Sequence, residues 1–124
     1  MTFTRERVGD VVTLRIEGEL DAVTVLDIRA EMEALILEAP QRVSVDLSVL
    51  RLIDSSGIGA IVSLFKRVRT TGGAVTVRGV RGQPLAIFRL LRLDRVLFEE
   101  TEASAATQPE LTGSIVRRPI PAGT

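Results

Sequence analysis

The sequence predicts an α/β domain, a mixed β-sheet of four to five strands with helices packed mainly on one face. Three observations predict it. Stretches of alternating apolar and polar residues recur along the chain, and stretches with helical apolar spacing separate them. Hydrophobic residues make up 45% of the 124 residues, which is enough for one core at this length. The expected order is β-β-α-β-α-β-α-β.

The strands are predicted from the alternation. Residues 11–17 read Val-Val-Thr-Leu-Arg-Ile-Glu, with the period of two that is typical of a strand buried on one face. Residues 3–8 are expected to pair with them through a turn at Gly9 and Asp10. The remaining predicted strands are residues 43–47, residues 74–78 and a last short strand at residues 96–98.

Three helices are predicted between the strands, because apolar residues recur there at spacings of three and four. The first has Asp21 as a candidate N-cap and Pro40 as its stop. The second ends at Gly72 and Gly73, where glycine can take the left-handed C-cap conformation, and the third has Pro84 in its first turn. The apolar stripes are Val25, Ile28, Met32, Leu35, Ile36 and Ala39 in the first helix; Ile58, Ile61, Val62, Phe65 and Val68 in the second; and Leu85, Ile87, Phe88 and Leu91 in the third.

The character of the chain changes near residue 100. Residues 101–124 contain three of the five prolines, few bulky apolar residues and no periodicity. Such a segment cannot bury enough apolar surface to offset the entropy of ordering it. We therefore predict a domain at residues 1–100 and a disordered C-terminal tail at residues 101–124.

Composition excludes several classes of function. Sixteen basic residues balance sixteen acidic ones, so we expect no partner that is found by bulk charge, such as DNA or an anionic membrane. The absence of cysteine and histidine removes thiol chemistry, the commonest metal ligand and the usual general base. No Walker loop or G-x-S-x-G motif occurs. We expect a cytoplasmic protein that is not an enzyme and holds no metal or cofactor.

One segment combines unusual features where the second helix begins. Residues 54–59 read Asp-Ser-Ser-Gly-Ile-Gly, which places two hydroxyls at a helix N-terminus. One interpretation is capping, in which Asp54 or Ser55 accepts hydrogen bonds from the first free N–H groups, an effect of about 1 kcal/mol that needs no function. Gly57 and Gly59, however, each cost the helix about 1 kcal/mol relative to alanine. They favour a second interpretation, a flat docking surface with an accessible hydroxyl.

The same residues resemble a known family. The stretch at residues 54–59, with Gly-Glu-Leu-Asp at residues 18–21 and Gly-Gly at residues 72–73, is similar to the STAS domains, specifically the bacterial anti-sigma factor antagonists. The resemblance covers about residues 3–100 and implies a STAS-like fold. The sequence departs from the family at Arg92, which stands where many members have glycine before a leucine.

The resemblance implies a partner-switching function. Such antagonists bind an anti-sigma factor that is also a serine kinase, and so free the sigma factor. The kinase phosphorylates the hydroxyl after the motif aspartate, here Ser55, and a phosphatase restores the antagonist. Ser56 is the less favoured acceptor and the more favoured cap. The residues expected to contact the partner are Asp21, Asp54, Ser55, Ser56, Gly57, Ile58 and Gly59.

Two other hypotheses remain open. The chain could be a STAS scaffold or accessory subunit of a stress-signalling or transport complex, in which the serine need not be phosphorylated. It could also bind a small molecule or nucleotide, although the sequence shows no pocket chemistry. Asp21 keeps its alternative interpretation as the cap of the first helix.

Overall fold

The computed structural model describes residues 1–98, which form five strands and four helices. The predicted α/β class and mixed sheet are confirmed. The end of the predicted domain at residue 100 and the tail predicted at residues 101–124 lie outside the described residues. The elements are β1 (Thr2–Val8), β2 (Val11–Leu20), α1 (Val25–Leu37), β3 (Arg42–Asp46), β4 (Leu50–Ile53), α2 (Ser55–Thr70), β5 (Ala74–Arg78), α3 (Gly82–Leu90) and α4 (Asp94–Leu97).

The sheet is built around β2. Strand β1 pairs with it as an antiparallel hairpin, as predicted, and β3 and β5 continue the sheet in parallel, giving the order β1-β2-β3-β5. Strand β2 pairs with β3 over Val11–Arg15 and with β4 over Gly18–Leu20, again in parallel. Strands β3 and β4 therefore follow one another alongside β2, in the same direction.

The core lies on one face of this sheet. Val12, Leu14 and Ile16 of β2 are fully buried there, together with Ile28 and Leu35 of α1. No polar or charged residue is buried within residues 1–98. On the opposite face, half-buried polar residues of neighbouring strands stand in register. These are Thr13, Ser44 and Thr76. The predicted packing of helices mainly on one face is confirmed.

Two parts of the predicted element order are wrong. No strand was predicted where β4 forms, because its four residues show no alternation and both central side chains are exposed. The last predicted strand is mostly α4, in which the N–H groups of Val96 and Leu97 both bond to the carbonyl of Leu93. Only Phe98 takes part in the sheet, through a single parallel bridge to Val77.

Helix ends account for the remaining differences. Helix α1 begins at Val25, with Thr24 rather than Asp21 at the N-cap. Ala39, predicted as part of its stripe, is exposed beyond the helix end with a φ of +49°. Leu91, predicted as part of the third stripe, is 52% exposed just after α3. Both residues lie past the last helical turn, so the apolar periodicity no longer determines where they face.

The predicted glycine C-cap of α2 is confirmed. Gly72 has a φ of +89°, and its N–H bonds to the carbonyl of Arg69 while the N–H of Gly73 bonds to that of Val68. These two bonds make a Schellman motif. Helix α3 ends in the same way at Arg92, although an arginine occupies the left-handed position.

At the α3 end, Arg92 has a φ of +61°. Its N–H bonds to the carbonyl of Arg89 at 3.0 Å, and the N–H of Leu93 bonds to that of Phe88 at 2.8 Å. A side chain in this conformation costs about 1–2 kcal/mol, because Cβ crowds the backbone. The departure from the family at Arg92 therefore has a local energetic cost.

Arg92→Gly is expected to stabilise the protein. Glycine adopts the left-handed conformation without the steric cost of an arginine side chain. This gain exceeds the conformational entropy that glycine adds to the unfolded chain, so the free energy of unfolding should rise by about 0.5–1 kcal/mol. Urea denaturation measures this. Arg89→Gly is the matched control, since it puts glycine at an exposed helical position and should destabilise by up to about 1 kcal/mol. Equal effects of the two substitutions would contradict the assignment.

Candidate functional site

The start of α2 is fixed by a capping interaction. Asp54 is the N-cap, and its Oδ1 accepts hydrogen bonds from the N–H groups of Ser56 at 2.9 Å and Gly57 at 3.1 Å. Its carbonyl accepts the first helical bond, from the N–H of Ile58 at 2.9 Å. The capping interpretation is thus correct for Asp54 and wrong for both serines.

Neither serine hydroxyl takes part in the N-terminal cap of α2. Ser55 is exposed and Ser56 half-buried, and neither hydroxyl makes a hydrogen bond to any residue within the described part of the chain. The Ser55 hydroxyl is available at the surface, next to a carboxylate and above the first turn of a helix. A hydroxyl in that position can be reached by another protein.

The loop between β2 and α1, which begins at Asp21, lies next to the start of α2 because of the strand register. Leu20, the last residue of β2, pairs with Ile53, the last residue of β4. The residues that follow them therefore leave the sheet at the same end of two parallel strands. The N–H of Asp54 bonds to the carbonyl of Leu20 at 3.2 Å. The structure thereby brings together the two segments that the sequence analysis singled out separately.

Asp21 stabilises the turn that precedes α1. Its Oδ1 accepts hydrogen bonds from the N–H groups of Val23 and Thr24 and from the Thr24 hydroxyl, at 2.9–3.1 Å. The Thr24 hydroxyl shares its one proton between this oxygen and the carbonyl oxygen of Glu19, at 3.1 Å and 2.9 Å. The Thr24 N–H, then the Thr24 hydroxyl, lower the pKa of the Asp21 carboxyl, because both bond to its charged form. The carbonyl of Asp21 also accepts from the Val25 N–H at 2.8 Å, so Asp21 caps the turn that leads into α1 with the same bonding pattern as Asp54, although the regular helix begins only at Val25.

The two glycines of the motif have different roles. A Cβ on Gly57 would lie 2.6 Å from the Leu20 carbonyl oxygen and 2.7 Å from Cγ1 of Ile53, so this glycine lets α2 pack closely on β2 and β4. A Cβ on Gly59 would meet nothing within 4 Å. Of the two glycines from which a flat surface was predicted, Gly57 therefore serves packing within the chain, and only Gly59 contributes to an exposed surface.

Burial divides the predicted contact residues into two groups. Ile58 is only 7% exposed and Gly57 is buried, so both support the surface from beneath and do not form it. The accessible residues are Asp54, Ser55 and Gly59, with Asp21 and Ser56 half-buried beside them. A groove of about 350 Å³ between α1 and α2 opens at this end, where Ser56 and Gly59 are among its lining residues.

Gln83, near the start of α3, is a residue of the site that no sequence pattern predicted. Its side-chain Oε1 accepts a hydrogen bond from the N–H of Ile53, and its Nε2 donates to the carbonyl of Ile53, both at 2.9 Å. Ile53 is the last residue of β4, directly before the Asp54 cap. A single glutamine has no sequence signature for such a contact, which arises only once the chain has folded.

The described residues show no cluster of three or more acidic, histidine or cysteine side chains that could hold a metal ion. Within residues 1–98, no helix is long and apolar enough to cross a membrane.

Together, the fold and the site define a small α/β domain that presents two adjacent loops at the ends of β2 and β4. A capped helix end lies at these loops.

The chain belongs to the STAS domain family, whose family model matches residues 2–105. An anti-sigma F factor antagonist of Paenibacillus polymyxa is 28% identical over 103 residues, which cover 82% of this chain and 88% of the relative. An anti-sigma-B factor antagonist of Listeria monocytogenes is 24% identical over 93 residues, or 75% and 82% of the two chains.

Solved structures of the anti-sigma factor antagonist SpoIIAA share the fold. The unphosphorylated form, at 24% identity, gives a TM-score of 0.70 and covers 85% of this chain and 96% of the other. SpoIIAA from Bacillus in its phosphorylated form gives a TM-score of 0.65 with the same coverage. The STAS-like fold expected from the motif is confirmed.

Gly57→Ala and Gly59→Ala should change stability in opposite directions. The first forces a Cβ against the Leu20 carbonyl and should destabilise by about 1–3 kcal/mol. The second adds a methyl in open space and should stabilise by about 0.5–1 kcal/mol through helix propensity. Chemical denaturation of both variants tests this, and a Gly57→Ala protein as stable as the wild type would refute the packing role.

Asp21 should titrate below its ordinary pKa of 3.8. Because the folded-state pKa is lowered, the stabilisation it provides is complete above the unfolded pKa and is lost as pH falls through the folded pKa. NMR titration of the Asp21 carboxyl carbon measures the value. Thr24→Val removes the hydroxyl donor and should move the pKa back towards 3.8. A wild-type value at or above 3.8 would contradict the hydrogen-bonded turn.

Proposed function

We propose that this protein is an anti-sigma factor antagonist that binds an anti-sigma factor with serine kinase activity, and thereby frees a sigma factor. The observation that carries the proposal is the exposed hydroxyl of Ser55, directly after the Asp54 cap, which forms no hydrogen bond with any residue in 1–98. The names of the STAS relatives, antagonists of anti-sigma-B and anti-sigma F factors, support the same role.

Phosphorylation of Ser55 would switch the protein off. A phosphoserine carries about −1.5 to −2 charges at pH 7, next to the carboxylate of Asp54. Like charges forced together across an interface cost several kcal/mol, and about 1.4 kcal/mol corresponds to a tenfold change in affinity. One phosphate is therefore enough to weaken binding roughly a hundredfold or more.

The same phosphate should leave the fold intact. Ser55 is the first residue of α2, where the helix dipole favours negative charge. Its hydroxyl has no partner to lose among the described residues, and the cap belongs to Asp54. Modification can change the surface without disturbing the helix that presents it.

The remaining chemistry belongs to the partners. The kinase would supply ATP, Mg²⁺ and the catalytic base, and a serine phosphatase would reverse the modification. This division of labour suits a chain without histidine or cysteine. The solved SpoIIAA structures in unphosphorylated and phosphorylated forms support a switch between two covalent states of one fold.

Ser55 variants test the switch. Ser55→Ala should bind the anti-sigma kinase with wild-type affinity and take up no phosphate, whereas Ser55→Asp should remain folded and bind roughly tenfold or more weakly. Calorimetric titration measures binding, and peptide mass spectrometry after incubation with kinase and ATP locates the phosphate. Ser56→Ala is the matched control and should be phosphorylated like the wild type.

Two outcomes would overturn the proposal. Phosphate on a residue other than Ser55, or Ser55→Asp binding with full affinity, would exclude the electrostatic switch. A stable large assembly that forms without phosphorylation would instead favour the scaffold or accessory-subunit alternative, which size-exclusion chromatography would detect.

A further inference from the structure

Strand β4 pairs with β2 along one edge, and the backbone groups of its other edge include the N–H and the carbonyl of Ile53. Strand β4 has only four residues, and β2 is its one strand partner among the described elements. The side chain of Ile53 is 3% exposed, so its backbone groups lie at the edge of the core. Partly buried N–H and C=O groups need partners, because leaving them unsatisfied is costly.

Gln83 supplies both partners with one side chain. Its carboxamide accepts from the Ile53 N–H and donates to the Ile53 carbonyl at 2.9 Å each, as a neighbouring strand would. On the other side of the motif, the Leu20 carbonyl accepts from the Asp54 N–H. The two residues before Ser55 are thus held from α3 and from β2.

We propose that Gln83 is a positioning residue for phosphorylation: its two bonds to Ile53 hold the Asp54 cap, and with it the Ser55 hydroxyl, in the geometry that the kinase requires. This inference rests on the proposed function. Gln83 acts through the backbone and does not touch the hydroxyl. Removing its bonds should loosen the start of α2 more than the rest of the domain.

The decisive variant is Gln83→Met, which keeps the length and approximate volume of the side chain and removes both hydrogen bonds. Amide exchange followed by NMR should show Ser56 and Gly57, the two N–H groups bonded to Asp54, exchanging about tenfold faster. Phosphorylation of Ser55 should lose about tenfold in kcat with a smaller change in KM, because misplacement acts on the reacting geometry.

Two controls separate positioning from general destabilisation. Gln41→Met makes the same change at an exposed glutamine outside the site and should leave exchange and phosphorylation unchanged. Val12→Ala removes core volume at the opposite end of β2 and destabilises the whole domain. It should accelerate exchange throughout the sheet yet leave kcat for Ser55 unchanged at temperatures well below unfolding.

The outcomes distinguish this inference from the proposed function. If wild-type Ser55 takes no phosphate, the proposed function fails, and the positioning role for phosphorylation fails with it. If the wild type is phosphorylated and Gln83→Met matches it in kcat, only the role of Gln83 is refuted. If the amide exchange rate rose by the same factor at Gly57 and at Val45, in the centre of the sheet, the positioning role would also be refuted. Gln83 would then contribute only to the stability of the whole domain.

Discussion

The arrangement of the site depends on one constraint, which is that the ten-residue strand β2 has two different parallel neighbours along its length. Strand β3 pairs with its first half and β4 with its last three residues. The chain thus runs past the end of β3 and stays parallel to β2 until Ile53. The parallel register of Leu20 with Ile53 then places the Asp21 turn and the Asp54 cap side by side. Without β4, the chain after β3 would leave the sheet beside Arg15 and not beside Leu20.

Stability and presentation are divided among different residues around the start of α2. Asp54 satisfies the first N–H groups of α2, Gly57 allows the helix to pack on Leu20, and Gln83 holds Ile53. Every one of these tasks is performed by a residue other than Ser55. The hydroxyl is consequently free of structural duties among the described residues, which is the condition under which a covalent modification can alter recognition alone.

Sequence patterns predicted what depends on local periodicity and on local backbone conformation. The alternation of β2 and the glycines after α2 identified both elements because their signals lie within a few residues of one another. Strand β4 was missed because four residues give no period, and its existence depends on β2 being long enough to pair with it. Gln83 could not be predicted for a related reason. Its partner, Ile53, lies about thirty positions away, and the two residues meet only in the folded chain. The burial of Ile58 agrees with its place in the apolar stripe of α2 and not with its predicted role as a contact residue.

The core described earlier contains no polar or charged side chain within residues 1–98. A consequence concerns how such domains diversify. Because no buried ion pair or hydrogen-bond network has to be preserved in the core, charge-changing substitutions cost the fold little at surface positions other than caps and turns such as Asp54 and Asp21. Duplicate copies in one genome could therefore drift apart in their loops and helix ends while folding alike. Differences in surface charge would then distinguish the copies, with the scaffold held constant.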